Sequence, residues 1–222
     1  MSDAMERPAI RRLASPRAAA VAGVLFAVLF ATSLVLLRSA LPGSLAAEAD
    51  WRGDGATRIT LAVSIMPFAG IAFLWFLGVL RDTFGEGEDK LFSSVFLGSG
   101  ILFLAMVFVA AAIAGALLAT VDVGGEPETT AFAFARAVML QISNVYALRM
   151  AGVFMISLGT LWLRTGALPK WMSLVTYALA AVLLVVVSLS LWATLIFPGW
   201  AFLVSAYLLV RSYRKRPVLP HA

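Results

Sequence analysis

Arg149 has the strongest claim to chemistry in this sequence, because it falls inside an apolar run. Around it stand Gln141, Ser143, Asn144 and Tyr146. If a span of about 20 residues ends at Leu163, Arg149 lies roughly 8 Å below the outer membrane boundary. An arginine at mid-membrane costs about 2.5–3.5 kcal/mol on insertion scales, and less toward the interface, so the position calls for a reason. Tyr146 and Arg149 are three apart and share a helix face, as do Gln141 and Asn144. On one reading, Arg149, Tyr146, Asn144 and Gln141 open an outward-facing cavity that holds an anionic group. On the plainer readings, Arg149 snorkels to the outer headgroups, pairs with Asp122, Glu126 or Glu128, or is interfacial because its span begins later.

Pro67 is the second singular residue. It lies within an apolar run, lacks the N–H that would bond to the Val63 carbonyl, and should kink its helix. Ser64 and Gly70 flank it within a turn. The kink is either a hinge or cavity wall, or an ordinary bend packed by neighbouring helices. Small residues recur four apart at Ala110/Ala114, Ala111/Gly115 and Ala112/Ala116, which offers a close-packing face within the monomer or in a homo-oligomer.

Much chemistry is excluded by what is missing. There is no cysteine, and the single histidine, His221, lies outside every apolar run. Thiolate and histidine metal centres, haem ligation and a Ser–His mechanism therefore have no residues to work with. None of the 12 acidic residues falls in an apolar run. Proton-coupled transporters usually carry embedded carboxylates or histidines, so that mechanism is disfavoured. No P-loop, GxSxG or HExxH motif is present, and Gly98-Ser99-Gly100 reads as helix packing. The expectation is a protein that is not an enzyme and needs no metal or cofactor.

The elements that must position these residues follow from composition. Of 222 residues, 62% are hydrophobic and 13% charged, with mean hydropathy +0.96. A soluble domain of this size cannot hide that much apolar surface. The fold expected is an all-α, polytopic transmembrane helix bundle. A span needs about 20 apolar residues. Six spans are predicted near residues 18–37, 59–80, 91–120, 144–163, 171–196 and 199–212, with Phe197-Pro198-Gly199 as the break between the last two. A few residues earlier is the alternative place for that turn, with Pro198 inside the helix. Residues 1–17 and 213–222 read as basic tails. An amphipathic stretch from Ala131 to Ser143 is expected to lie on the outer surface ahead of the fourth span.

The bases set the orientation. Arg7, Arg11, Arg12, Arg17, Arg81, Lys90, Arg164, Lys170, Arg211, Arg214, Lys215 and Arg216 all fall on one side of the predicted topology. By the positive-inside rule both termini are then cytoplasmic. Arg38, Arg52, Arg58, Arg136 and Arg149 are the exceptions. Trp75, Trp162, Trp171, Trp192 and Trp200 fall near predicted span ends, as interfacial indoles would. The first apolar run is longer than a signal-peptide h-region and reads as a retained helix. Topology suffices to explain the basic tails, which can also touch anionic lipids, so no nucleic-acid partner is needed. The arginine- and alanine-rich usage suggests a bacterial cytoplasmic membrane.

Three segments carry a resemblance. They are Arg17–Phe26 (RAAAVAGVLF), the junction Leu161–Ser173 (LWLRTGALPKWMS), and the apolar C-terminal span with its basic residues. In this order the chain resembles uncharacterised six-span bacterial membrane proteins, a family of unknown function. The resemblance implies an integral membrane location and assigns no functional residue. The expected role is non-enzymatic, through contacts with lipid or a membrane-protein partner. The alternative is a small permease or binder of an amphiphilic or anionic small molecule, using the cluster around Arg149.

Overall fold

The structure is a computed structural model that describes residues 16–40, 54–84, 90–122, 129–166, 168–185 and 191–214. The described residues form helices: α1 (Pro16–Ala40), α2 (Ala56–Phe84), α3 (Lys90–Asp122), α4 (Thr129–Gln141), a π-helical turn (Ile142–Ala147), α5 (Leu148–Thr165), α6 (Lys170–Val185), a 3-10 turn (Leu191–Leu195) and α7 (Ile196–Arg214). Five rods are long and apolar enough to cross a membrane: Arg17–Ala40, Ala56–Arg81, Leu91–Ala119, Phe132–Thr165 and Ala193–Tyr213. The described part of α6 is apolar and has 16 residues, about 24 Å.

Neighbouring rods run antiparallel. Ser33 of α1 donates to the Ala62 carbonyl of α2 at 2.7 Å. Arg17, at the start of α1, lies over the Tyr213 ring at the end of α7 and donates to the Ser212 carbonyl. Arg164 covers Phe92 in the same way, joining the end of α5 to the start of α3. The described ends of α1 and α7 therefore share one end of the bundle, with the α3 start and α5 end. Gly166 closes α5 in the left-handed conformation (φ 63°), the geometry glycine adopts without a Cβ clash. Pro169 then supplies the carbonyl that opens α6, bonded by the Met172 amide at 3.0 Å.

One phenylalanine from each long rod converges at the centre: Phe26, Phe73, Phe103, Phe154 and Phe197. Phe103 meets Phe197 edge-on at 4.7 Å, and Phe26 and Phe73 lie 4.8 Å apart. In lipid, helices associate through packing rather than water exclusion, and such ring pairs add about 0.5–1.5 kcal/mol each. Outside, Phe68, Trp75, Leu174 and Leu203 are well exposed. In water that shell would aggregate; against acyl chains it is the expected surface.

Two expectations need correction. The stretch Ala131–Ser143 is not a surface helix: α4 runs through the π turn into α5 as one rod, and Phe132 and Met139 bury against Ala110, Ala114 and Leu117. The fourth span therefore begins well before residue 144. The fifth does not run as one helix to residue 196: a 3-10 turn occupies Leu191–Leu195, ahead of α7. The alternative placement of the turn holds: it lies a few residues before Phe197, and Pro198 sits inside the first turn of α7, where its missing N–H would have no intrahelical partner. Trp162 and Trp200 are buried, their rings 6.2 Å apart, and Trp200 Nε1 donates to Thr176 Oγ1 at 3.0 Å.

Length carries a further consequence. Helix α3 has 33 residues, about 50 Å, against a bilayer core of about 30 Å. The α4–α5 rod is comparably long. The α3 start and α5 end are held together by Arg164 and Phe92, and the two long rods also meet toward the opposite end. There a second apolar cluster, built on Ala110, Ala114, Leu117, Phe132 and Met139, joins the α3–α4 hairpin to Ala40 and Ile59.

Candidate ligand cavity beside Arg38

A cavity of about 40 Å³ lies at the seam between the central core and this second cluster. That is room for on the order of three waters, or for one small group of a larger ligand. Phe30, Leu34, Met66, Phe103, Val107 and Leu148 make it apolar. Arg38, Ser143 and Thr194 are its polar lining residues. Ser143 Oγ is already committed to the Met139 carbonyl at 2.8 Å.

Arg38 is held by the third-last residue position of α1. Its Nη2 donates to Asn144 Oδ1 at 2.7 Å, and its Nη1 is buried with no acceptor among the described residues. Asn144 stands in the middle of the π turn. The wider i→i+5 turn advances each residue by a smaller angle than an α-helix, so Asn144 faces α1 while its neighbours keep other directions. Short π segments of this kind recur at functional sites.

The four residues singled out around the fourth span do not converge. Arg149, Tyr146 and Gln141 are exposed on the outer side of their rod, and none of them lines the cavity. Tyr146 and Arg149 do share an exposed face. Asn144 alone turns inward. The proposed partners Glu126 and Glu128 lie outside the described residues, as does the Asp122 side chain.

Pro67 is exposed, so its ring faces away from the cavity, which α2 lines with Met66. The Ser33 hydroxyl donates to Ala62, the carbonyl one residue before the one that Pro67 leaves without its amide. Helix α2 continues through Pro67, with α1 hydrogen-bonded to it one turn earlier.

Arg136, on α4, is half-buried, and its Nε has no acceptor among the described residues. It stands one turn before Met139 and Leu140, which line the cavity. Among the described residues no cluster of metal-ligating side chains occurs.

Arg38 is the candidate site residue that the sequence reading did not single out. Its signal was present: it is one of the few bases that break the positive-inside sorting. No protein-family model, curated protein or solved structure matches the chain.

Proposed function

We propose that this is a six-span, non-enzymatic protein of a bacterial cytoplasmic membrane, with both termini cytoplasmic, that binds an amphiphilic anion in its outer half. The observation that carries this reading is the buried, unpartnered Nη1 of Arg38 at an apolar cavity. A buried cationic donor without an acceptor is costly, and an anion is the group that offsets the cost. The apolar lining suits the hydrocarbon part of the same ligand. The sorting of bases and the meeting of Arg17 with Tyr213 support the orientation. In that orientation Arg38 is about 31 Å from Arg17 along α1, which is the depth of the outer interface, where lipid-like anions reside. The earlier choice between lipid contacts and anion binding thus narrows to one ligand class, with Arg38 and Asn144 in place of Arg149.

The test is native mass spectrometry of gently extracted protein. Wild type and Arg149→Leu should carry the same co-purifying acidic amphiphile, and Arg38→Leu should lose it. Retention by Arg38→Leu would sink the proposal.

A further inference from the structure

The cavity beside Arg38 has a direction. On α1 its lining residues run from Phe30 to Arg38, and on α3 from Phe103 to Ala111. Each stretch is about 12 Å long. Phe30 and Phe103 lie at one level, their rings edge to face at 5.6 Å. Leu37, Arg38, Leu140 and Ser143 are half-buried, and every other lining residue is buried. Leu140 and Ser143 belong to the rod whose Asn144 bonds to Arg38. The cavity is therefore most open at the Arg38 end, between α1 and that rod, and closed at the phenylalanine end. The closing rings are themselves braced. Phe30 stacks on Phe26 at 5.2 Å, and Phe103 meets Phe73 at 5.4 Å and Phe197 at 4.7 Å. In a core packed this way a ring turns aside only by displacing its neighbours.

We infer that Phe30 and Phe103 set the length of the ligand's apolar arm, and that the site takes an anion whose arm is short; this rests on the amphiphilic-anion reading above. With the anionic group at Arg38, the arm enters toward the two rings. A volume of about 40 Å³ holds on the order of three waters. A methylene group is about the size of a water, so the arm has room for about three or four carbons before it meets a ring. Each methylene moved from water into the cavity strengthens binding about fourfold. A methylene that stays outside adds no such gain.

The experiment measures binding of straight-chain alkanesulfonates, from propane- to octanesulfonate, to full-length protein in maltoside detergent. The sulfonate keeps its charge at every working pH, so only the arm varies. Binding is read by the ligand-dependent shift of the unfolding midpoint. Wild-type affinity should rise about fourfold per carbon as far as butane- or pentanesulfonate, then level off or fall. Phe103→Ala should extend the rise, so that octanesulfonate gains about tenfold or more relative to butanesulfonate. Phe30→Leu, which keeps more of the packing, should extend it by about one carbon. If wild-type affinity keeps rising to octanesulfonate, or the break stays in place in these variants, the arm-length inference is wrong although anion binding survives. If no member of the series binds wild type, or Arg38→Gln binds them all like wild type, the underlying reading fails instead.

Discussion

Arg38 Nη2 and Asn144 Oδ1 meet at 2.7 Å across 106 residues of sequence, tying the end of α1 to the π turn between α4 and α5. The bond holds one end of the guanidinium of a residue that lines the cavity, while its Nη1 is buried without an acceptor among the described residues. Asn144 is in this sense a positioning residue for Arg38. Removing its amide strands a second donor, so Asn144→Leu should lower stability by about 1.5–3 kcal/mol, the range for a hydrogen bond to a charged group. Arg38→Leu combined with Asn144→Leu should cost clearly less than the sum of the two single changes. Unfolding midpoints in detergent give the cycle, and additivity within about 0.5 kcal/mol would show that the bond contributes nothing.

Gly23 makes a contrasting prediction about packing. A Cβ there would collide with Ser205 Oγ of α7 and approach the Phe76 ring of α2 to 2.8 Å. Helix α1 can lie against both only because residue 23 has no side chain. Gly23→Ala should therefore overpack the α1–α7 contact and cost about 1–3 kcal/mol. At Gly98 a Cβ would meet nothing within 4 Å. Gly98→Ala should be neutral or stabilising by up to about 1 kcal/mol, because alanine is the better helix former. Equal losses at the two positions would contradict the packing account.

These contacts show what could be read in the sequence. The rods were legible because apolar runs of spanning length can be little else. The position of Arg149 within a span and the exposed face it shares with Tyr146 were legible from spacing. The cavity was not, because it depends on Arg38, which reads as a flanking base, and on a partner brought near by tertiary packing. Helical periodicity also misjudges directions across the π turn, where Asn144 departs from the face of Gln141. Pro198 left two placements of the turn open for a local reason: proline punctuates helices, yet a first turn tolerates it. The convergence of Phe26, Phe73, Phe103, Phe154 and Phe197 likewise has no signal in any single segment.

Ser33 offers a test of how α1 is held against α2 near Pro67. Its hydroxyl reaches the Ala62 carbonyl from another helix, and the serine is fully buried. Ser33→Ala should cost about 0.5–1.5 kcal/mol, the usual net value of one such bond. Thr60→Ala removes a hydroxyl bonded within its own helix, to Ala56, at an exposed site. It should change stability by less than about 0.5 kcal/mol. Thermal unfolding of both variants decides the matter, and a Ser33→Ala protein as stable as wild type would mean that this bond does not hold α1 against α2.

The orientation can be tested with little perturbation, because the chain has no cysteine to remove. Thr165 is exposed at the end of α5, beside the basic turn that leads to Lys170, and its hydroxyl bonds only to Leu161 of its own helix. Thr130 is exposed at the start of α4, on the α3–α4 hairpin. The rod between them has about 35 residues, over 50 Å, so the two sites must lie on opposite sides of a core of about 30 Å. With the bases inside, Thr130→Cys should react with a membrane-impermeant maleimide in intact cells, and Thr165→Cys only after permeabilisation. The reverse pattern would put Arg38 and its cavity in the cytoplasmic half, where the available anions and the lipids facing the site are different.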